Sequence, residues 1–317
     1  MRIGIDIMGG DFAPEQTVLG AIQASAILPT STELVLIGNE NLILPILKRE
    51  KADASLFVIE HCSEVIGMAD HPTKAIQQKQ DSSIAKGFGL LKAGAIDSFA
   101  SAGNTGAMLV GSMFSVKTIS GILRPAIASL IPKESGGWGL ILDVGVNADC
   151  KPEVLQQFAL LGSIYAQSIL HIHSPKVALM SIGEEDEKGN LLVKETHQLL
   201  KESGEVNFIG NVEGRDLFND KADVIVCDGF TGNVILKEAE SFYTMVKKRN
   251  IKDAYFDRFD YEDYGGTPIL GINSSVIIAH GISKAKAIKN MILLSAEVVE
   301  ARLPEKIAAA FSKETVK

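Results

Sequence analysis

Short apolar runs rich in β-branched residues alternate along the chain with longer segments whose apolar residues recur at helical spacing. This alternation predicts an α/β fold with a mostly parallel, Rossmann-like sheet covered by helices on both faces. The predicted strands are Arg2–Ile7, Glu33–Ile37, Ser55–Ile59, Ile96–Ala100, Gly139–Asp143, Val177–Ser181, Asn207–Ile209 and Asp223–Cys227. The predicted helices are Pro14–Leu28, Asn41–Lys51, Ser82–Ala93, Pro152–Leu170, Leu191–Glu202, Gly232–Arg249 and, closing the chain, Lys284–Arg302.

Two proline-flanked segments, near Pro125–Pro132 and Pro268–Ala279, break this rhythm and are predicted to form a smaller mixed region. No linker rich in Pro, Gly or Ser divides the chain. Residues 1–317 are therefore predicted to form one continuous α/β unit, with two lobes around a cleft.

Polar and glycine-rich segments follow most of the predicted strands. Ligands of open α/β sheets bind beyond the carboxyl ends of the strands, so this placement predicts the functional site there. The segments are Met8–Asp11, Gly103–Gly106, Asp143–Asn147, Gly183–Asn190, Gly210–Glu213 and Gly229–Gly232.

Two of these segments, Gly103–Gly106 and Gly229–Gly232, have nearly the same sequence, and each leads into a helical stretch. Backbone N–H groups at a helix N-terminus are unpaired and the helix dipole favours negative charge, so both segments predict an anion site. The alternative is that their glycines serve only the turn. We predict that both loops face one cleft and bind phosphate. The predicted phosphate-binding residues are Gly103, Asn104, Thr105, Gly106, Gly229, Thr231, Gly232 and Asn233.

The composition limits the classes of function. A net charge of −8 argues against general nucleic-acid binding, which requires a basic surface. Cys62, Cys150 and Cys227 are far apart and form no CxxC pair, so neither a disulfide framework nor a metal site is predicted. The chain reaches Asp6 without the apolar stretch of a signal peptide, and a reducing cytoplasm is the expected location.

The motifs of nucleotide-dependent and hydrolytic enzymes are absent from the sequence. It contains no GxGxxG at a strand–helix turn and no Gly-Lys dipeptide of a Walker A loop. It also contains no GxSxG elbow and no HExxH pair. Hydride transfer, ATP hydrolysis and serine hydrolysis are therefore disfavoured, and no cofactor is expected.

Three further polar residues are candidates beside Asn104. Lys188 lies in the acidic segment Gly183–Asn190, where consecutive carboxylates cannot all face one ion, so a solvated loop is favoured over a metal site. The turn is expected to carry Lys188 toward phosphate. His280 follows an apolar run and is either a structural hydrogen-bonding group or a catalyst. The predicted catalytic residues are Asn104, Lys188, Asn211 and His280.

A cationic cluster lies at the end of the predicted helix Gly232–Arg249. Cations complement the C-terminus of a helix, which is the simpler explanation. The sharper hypothesis is a docking patch for an acidic partner. The cluster consists of Lys247, Lys248, Arg249 and Lys252.

Several long motifs occur together in this chain. They are Asp6-Ile7-Met8-Gly9-Gly10-Asp11, Ser101-Ala102-Gly103-Asn104-Thr105-Gly106-Ala107, Asp143-Val144-Gly145 with Asn147, Gly210-Asn211-Val212-Glu213, Asp228-Gly229-Phe230-Thr231-Gly232-Asn233-Val234 and Tyr264-Gly265-Gly266. In this order, and over nearly the whole chain, they resemble the bacterial phosphate acyltransferase family.

The resemblance implies a three-layer αβα sandwich, similar to the phosphotransacetylase and isocitrate-dehydrogenase-like folds. It implies transfer of a fatty acyl group from acyl carrier protein to inorganic phosphate, giving acyl phosphate for phospholipid synthesis. It also implies a homodimer and functional coupling to a membrane glycerol-3-phosphate acyltransferase.

The chain departs from the family pattern in two places. After Pro72 the family commonly has arginines, whereas here only Lys74 and Lys79 remain among glutamines. The stretch before Tyr264, residues 253–263, is short and acidic where many members have a longer apolar tip. An acidic segment matches an anionic membrane surface poorly, so peripheral membrane association is disfavoured.

The expected mechanism is direct attack of phosphate on the thioester. Phosphate is largely dianionic near pH 7 and a thiolate leaves readily, so hydrogen-bond donors matter more than a nucleophile or a strong base. The rival mechanism is an acyl-enzyme on Cys62, Cys150 or Cys227. Two alternative functions share the phosphate loops: a short-chain phosphotransacetylase that uses acetyl-CoA, and a non-enzymatic phosphoester-sensing module.

Overall fold

A computed structural model of the chain describes residues 1–312. The chain divides into two compact units by its internal contacts. Unit 1 contains Met1–Thr118 and Tyr261–Pro304, and unit 2 contains Ile119–Asp260 and, among the described residues, 305–312. The segments Gly103–Gly106 and Gly229–Gly232, which both have the sequence Gly-x-Thr-Gly, belong to different units. The expectation that they face one cleft therefore stays a prediction.

The strands of the described chain are short, as expected from the apolar runs. They are β1 (Arg2–Asp6), β2 (Glu33–Gly38), β3 (Phe57–His61), β4 (Ser98–Ser101), β5 (Ala126–Pro132), β6 (Trp138–Leu142), β7 (Lys176–Met180), β8 (Asn207–Val212), β9 (Val224–Val226), β10 (Thr267–Leu270) and β11 (Ser275–Ile278).

Helices connect most of these strands. They are α1 (Glu15–Ser25), α2 (Glu40–Arg49), α3 (Pro72–Gln78), α4 (Ser83–Lys92), α5 (Thr105–Ser115), α6 (Pro152–Ser168), α7 (Leu191–Ser203), α8 (Gly229–Lys248), α9 (Ala254–Asp257), α10 (Tyr261–Tyr264), α11 (Ala285–Glu300) and α12 (Leu303–Ser312). In the described part of the chain, none of them has both the length and the apolar character that crossing a membrane requires.

Unit 1 is built on strands in the order β3-β2-β1-β4-β11-β10. All neighbouring pairs are parallel except β10 and β11, which are antiparallel. Helices α4 and α11 both pack against β1 and β4, the two central strands of this order. Phe88 of α4 meets Phe99 of β4 edge-to-face, with ring centroids 5.2 Å apart, and both side chains are buried.

Unit 2 is built on strands in the order β5-β6-β9-β7-β8. Only the β5–β6 pair is antiparallel, and the other pairs are parallel. Helix α6 packs on this sheet through Gly162, where a Cβ would lie 2.6 Å from a methyl carbon of Val224 and 2.9 Å from one of Leu142. This close approach places the buried Phe158 and Tyr165 over the sheet.

Several predicted boundaries were wrong, and two of them matter for function. Helix α8 begins at Gly229, three residues before the predicted start, because Asp228 caps it. Strand β8 extends to Val212 and so contains Asn211, which was expected to follow the strand. The strand predicted from Ser55 begins only at Phe57, because Ala54–Leu56 form a 3₁₀ turn. The helix predicted to be the last corresponds to α11, and α12 follows it.

Candidate active site

In unit 1 the segments that follow the parallel strands meet at one edge of the sheet. The Asp11 N–H donates a hydrogen bond of 2.8 Å to the Gly281 carbonyl, which joins the segments after β1 and β11. A Cβ on Gly9 would lie 2.7 Å from the Gly103 nitrogen, and a Cβ on Gly281 would lie 2.6 Å from Cε of Met68. Residues 8–11, 67–70, 101–106 and 280–283 therefore form one cluster of loops.

Asp6, at the end of β1, is the buried carboxylate beneath this cluster and is 1% exposed. Its Oδ1 accepts a hydrogen bond of 3.0 Å from the Met8 N–H, and its Oδ2 accepts one of 2.7 Å from the Ser101 hydroxyl. The Ser101 oxygen in turn accepts a hydrogen bond of 2.9 Å from the Gly103 N–H. Burial raises the pKa of Asp6, while hydrogen bonds from hydroxyl and N–H groups, including that of Gly9, oppose the rise.

Asn104 is buried and serves as the N-cap of α5. Its Oδ1 accepts a hydrogen bond of 3.0 Å from the Ala107 N–H. Its Nδ2 donates to the carbonyls of Gly67 and Asp70, at 3.1 and 3.0 Å. The amide is thus used inside the protein, where it closes residues 67–70 over the start of α5.

Thr105 is the first residue of α5, and its side chain is exposed. Its hydroxyl makes no hydrogen bond with any residue among 1–312. The next residue, Gly106, packs closely against Pro72. A Cβ on Gly106 would lie 3.1 Å from Cβ of Pro72. The start of α5 therefore presents a free hydroxyl and helix N–H groups beside a neutral cap.

In unit 2 the buried residue Asp143, directly after β6, has the place that Asp6 has in unit 1. Its carboxylate accepts hydrogen bonds from the Ile127 N–H at 3.1 Å and from the Asn147 N–H and side-chain amide at 2.6 and 3.0 Å. Burial raises the pKa of Asp143, and these hydrogen bonds oppose the rise. A Cβ on Gly229 would lie 2.6 Å from Asp143 Oδ2, so this carboxylate also sits under a Gly-x-Thr-Gly segment.

The two Gly-x-Thr-Gly segments have different positions relative to their helices. Thr105 is the first residue of α5, whereas Thr231 is the third residue of α8. Asp228 caps α8, and its two carboxylate oxygens accept hydrogen bonds from the Thr231 N–H and hydroxyl, both 2.8 Å long. The first segment thus has an open start with a neutral cap, and the second has a carboxylate at the start of the helix.

The remaining residues of the second segment are closely packed. A Cβ on Gly232 would lie 2.9 Å from Sγ of Cys227 and would overlap the Asp143 carbonyl. Gly145 has a φ of +117°, and a Cβ there would lie 2.9 Å from Nδ2 of Asn233. Glycine is required at both positions, and Asn233 lies beside the Asp143–Asn147 loop.

Asn211 is 3% exposed and holds the acidic loop after β7. Its Nδ2 donates to the Glu185 carbonyl at 2.9 Å, and its Oδ1 lies 3.0 Å from Nδ1 of His197. His197 Nε2 lies 3.3 Å from Asp186. The Lys188 side chain is exposed and packs against Gly183. A Cβ on Gly183 would lie 2.7 Å from the Cγ of Lys188. Asn211 therefore fixes the loop that carries Lys188.

His280 follows β11 at the loop edge of unit 1 and is exposed. Its ring centroid lies 5.6 Å from that of Tyr261. Because the neighbouring Gly281 carbonyl accepts the Asp11 N–H, the backbone at this position belongs to the unit 1 loop cluster.

The cationic cluster lies at the end of α8 as predicted from its sequence position. Lys247 forms an ion pair of 2.9 Å with Asp260, and this contact raises the pKa of Lys247. Lys248, Arg249 and Lys252 are exposed, and within residues 1–312 they form no ion pair.

The three cysteines lie in environments that disfavour a thiolate. Burial raises the pKa of Cys62 and of Cys150 to about 11, and it also raises the pKa of Cys227 well above its ordinary value. Nearby carboxylates, Asp6 for Cys62 and Asp143 for Cys150, act in the same direction. At neutral pH the thiols are protonated, which is unfavourable for an acyl-enzyme.

Four buried or capping residues have no role predicted from the sequence: Asp6, Ser101, Asp143 and Asp228. The available signal was an acid directly after a buried apolar run with glycine two or three residues later, in Asp6-x-x-Gly9 and Asp143-x-Gly145. In both units that acid contacts the backbone of the next loop rather than solvent.

The chain has an α/β fold similar to that of solved phosphotransacetylases, as predicted. A phosphotransacetylase from Staphylococcus aureus matches with a TM-score of 0.66 at 17% identity, over 94% of both chains. A branched-chain phosphotransacylase from Enterococcus faecalis V583 matches with a TM-score of 0.64 at 16% identity, over 94% of this chain and 99% of that one. A 4-hydroxythreonine-4-phosphate dehydrogenase from Klebsiella pneumoniae shares the fold with a TM-score of 0.56 at 12% identity, over 94% of this chain and 98% of that one.

The family follows from the sequence comparisons. A family model described as "Fatty acid synthesis protein" matches residues 1–306. Phosphate acyltransferase from Dictyoglomus turgidum is 44% identical over 338 residues, covering 99% of each chain. Phosphate acyltransferase from Heliobacterium modesticaldum is 45% identical over 320 residues, covering 95% of this chain and 94% of the relative. The chain belongs to the phosphate acyltransferase family, and it is an acyltransferase of fatty acid and phospholipid synthesis.

Proposed function

We propose that this enzyme transfers a fatty acyl group from acyl carrier protein to inorganic phosphate and releases acyl phosphate. The observation that carries the proposal is the match of residues 1–306 to a family of fatty acid synthesis, together with full-length relatives named phosphate acyltransferase. The resemblance supports the carrier protein as donor, a homodimer and coupling to a membrane glycerol-3-phosphate acyltransferase. The proposed cytoplasmic location comes from the cysteine pattern instead.

Phosphate binding is assigned mainly to Gly103, Asn104, Thr105 and Gly106. The start of α5 combines unpaired helix N–H groups, a free threonine hydroxyl and an uncharged cap. The second segment, with Gly229, Thr231, Gly232 and Asn233, is the weaker part because the Asp228 carboxylate already accepts from Thr231.

The chemistry requires positioning and charge stabilisation more than proton transfer. A phosphate oxygen attacks the thioester carbonyl, the new C–O bond forms, and the C–S bond breaks as the carrier thiolate leaves. Positioning contributes roughly 7–11 kcal/mol and one oxyanion donor about 3–4 kcal/mol to lowering such a barrier. Within unit 1, His280 in the loop cluster is the proposed group near the charge that develops on the carbonyl oxygen. Lys188, on the loop of unit 2 held by Asn211, stays a predicted group that neutralises the charge of phosphate.

Donor comparison tests the proposal. A long-chain acyl carrier protein thioester and acetyl-CoA are each incubated with phosphate, and acyl phosphate is trapped as the hydroxamate. The proposal expects turnover with the carrier thioester and little with acetyl-CoA, whereas the reverse indicates the short-chain phosphotransacetylase. A phosphoester sensor would bind phosphate without any phosphate- or arsenate-dependent loss of thioester.

The two threonines test where phosphate binds. Thr105→Val removes a free hydroxyl, and we expect the phosphate KM to rise about ten-fold because a hydrogen bond to a charged group is lost. Thr231→Val removes part of the α8 cap and is expected to lower stability by about 1 kcal/mol while the phosphate KM changes little. An unchanged phosphate KM for Thr105→Val would exclude the α5 start as the phosphate site.

A further inference from the structure

A hydrogen-bonded relay connects a buried carboxylate to the backbone in front of α5. It runs from Asp6 Oδ2 to the Ser101 hydroxyl at 2.7 Å, and from the Ser101 oxygen to the Gly103 N–H at 2.9 Å. Both side chains are 1% exposed, so neither is available to a substrate. Whatever Asp6 contributes to function is exerted through the loops that it contacts.

The direction of the relay is set by the carboxylate. Ser101 has one hydroxyl proton, and donating it to Asp6 leaves the lone pairs of its oxygen for the Gly103 N–H. The other oxygen of Asp6 accepts the Met8 N–H at 3.0 Å, so one carboxylate fixes the backbone after both β1 and β4. No side chain fits at Gly9 between the two loops, because a Cβ there would overlap Asp6.

We propose that Asp6 and Ser101 are positioning residues for phosphate. By holding Gly103 they set the direction in which the next residues enter α5, and thereby the place where the Thr105 hydroxyl and the first helix N–H groups converge. The inference rests on the proposed function, in which this segment binds phosphate, and adds the two residues that make the segment rigid enough to do so.

Two variants interrupt the relay in different ways. Ser101→Ala removes the acceptor of the Gly103 N–H. Asp6→Asn keeps the size of the side chain, but its amide group cannot accept from both Met8 and Ser101. The matched control is Ser98→Ala, which removes another buried hydroxyl of β4. Ser98 pairs with Ser275 at 2.8 Å and lies at the start of the strand, away from the loop.

The test measures kcat and the KM of each substrate with the full-length enzyme, together with thermal stability. We expect Ser101→Ala and Asp6→Asn each to raise the phosphate KM about ten-fold, with the thioester KM within about two-fold of wild type. Ser98→Ala is expected to lower the melting temperature while both KM values stay within about two-fold. Asp6→Asn carries the test alone if Ser101→Ala does not fold.

Two results would overturn the inference. The first is a phosphate KM that is unchanged in folded Ser101→Ala or Asp6→Asn. The second is a phosphate KM that Ser98→Ala and Ser101→Ala change equally. Either result would leave the relay with a structural role only. Neither result touches the proposed function, which fails separately if the wild-type enzyme forms no acyl phosphate.

Discussion

At the residue scale, the same short sequence starts two helices of this protein in two different ways. Gly-x-Thr-Gly occurs twice, but Asn104 caps α5 from inside the first segment and Asp228 caps α8 from before the second. The sequence alone does not decide this, because each segment contains or adjoins a residue able to cap a helix. The position of the cap depends on how the chain leaves the preceding strand, and the Asp143 carboxylate and the Asn147 backbone beneath Gly229 are part of that geometry.

The raised pKa values of the cysteines predict that none of them is the nucleophile. Cys62→Ala, Cys150→Ala and Cys227→Ala are each expected to keep kcat within about three-fold, because a protonated thiol at neutral pH attacks a thioester slowly. Steady-state rates and mass spectrometry of the quenched enzyme check this. A single variant without turnover, or a trapped acyl-cysteine, would establish the acyl-enzyme route instead.

The buried carboxylate of Asp6 predicts a pH dependence of stability. Its folded pKa lies above the ordinary 3.8, so its contribution is present below pH 3.8 and is lost as the pH rises through the folded pKa. The free energy of unfolding of the wild type, relative to Asp6→Asn, is therefore expected to fall as the pH rises. Urea titrations of both proteins from about pH 4 to about pH 8 measure the difference. A difference that grows in favour of the wild type would contradict the burial argument.

At the scale of elements, glycines in helices separate into two kinds. Gly232, in the first turn of α8, lies against the Asp143 carbonyl and Cys227. For Gly89 of α4, apart from its chain neighbours and the backbone of its own helix, no atom lies within 4 Å of the place its Cβ would take. Residue type alone does not distinguish the two, because the neighbours come from distant parts of the chain.

The two glycines give opposite predictions for substitution by alanine. Gly232→Ala is expected to lower the free energy of unfolding by about 1–3 kcal/mol or to shift α8, since the added methyl overlaps backbone. Gly89→Ala is expected to raise it by about 0.5–1 kcal/mol, since it only removes backbone freedom in a helix. Denaturant unfolding of both variants is the measurement. An increase in the free energy of unfolding of Gly232→Ala would contradict the expected overlap and would mean that the first turn of α8 shifts at little energetic cost.

At the scale of the whole molecule, the fold class follows from the alternation of apolar runs and helical segments. The order of the strands does not, because it depends on which crossover connections return to which neighbour. The antiparallel partners β5 and β10 lie in the two segments that broke the pattern, which were predicted to form a smaller mixed region. Within each unit the polar segments follow parallel strands, which end on the same side of the sheet. The expectation of a single cleft for both phosphate loops stays a prediction.

The cationic cluster on α8 leads to a prediction about the carrier protein. Lys248 is exposed in the last turn of α8, and Lys48 is exposed in the last turn of α2. Each substitution by Glu places a negative charge at the C-terminus of a helix, where the helix dipole disfavours it to the same extent. Lys48→Glu is therefore the matched control for Lys248→Glu. If the cluster docks an acidic carrier, Lys248→Glu raises the KM of the carrier thioester about three- to ten-fold at low salt.

Ionic strength then separates docking from the helix effect. A charge at the rim of an interface is screened within a Debye length of about 3 Å at 1 M salt, so the difference between the two variants is expected to disappear there. The phosphate KM stays unchanged in both, because phosphate binding is assigned to the start of α5. Equal KM values for Lys248→Glu and Lys48→Glu at low salt would leave the cluster with the simpler role of completing the C-terminus of α8.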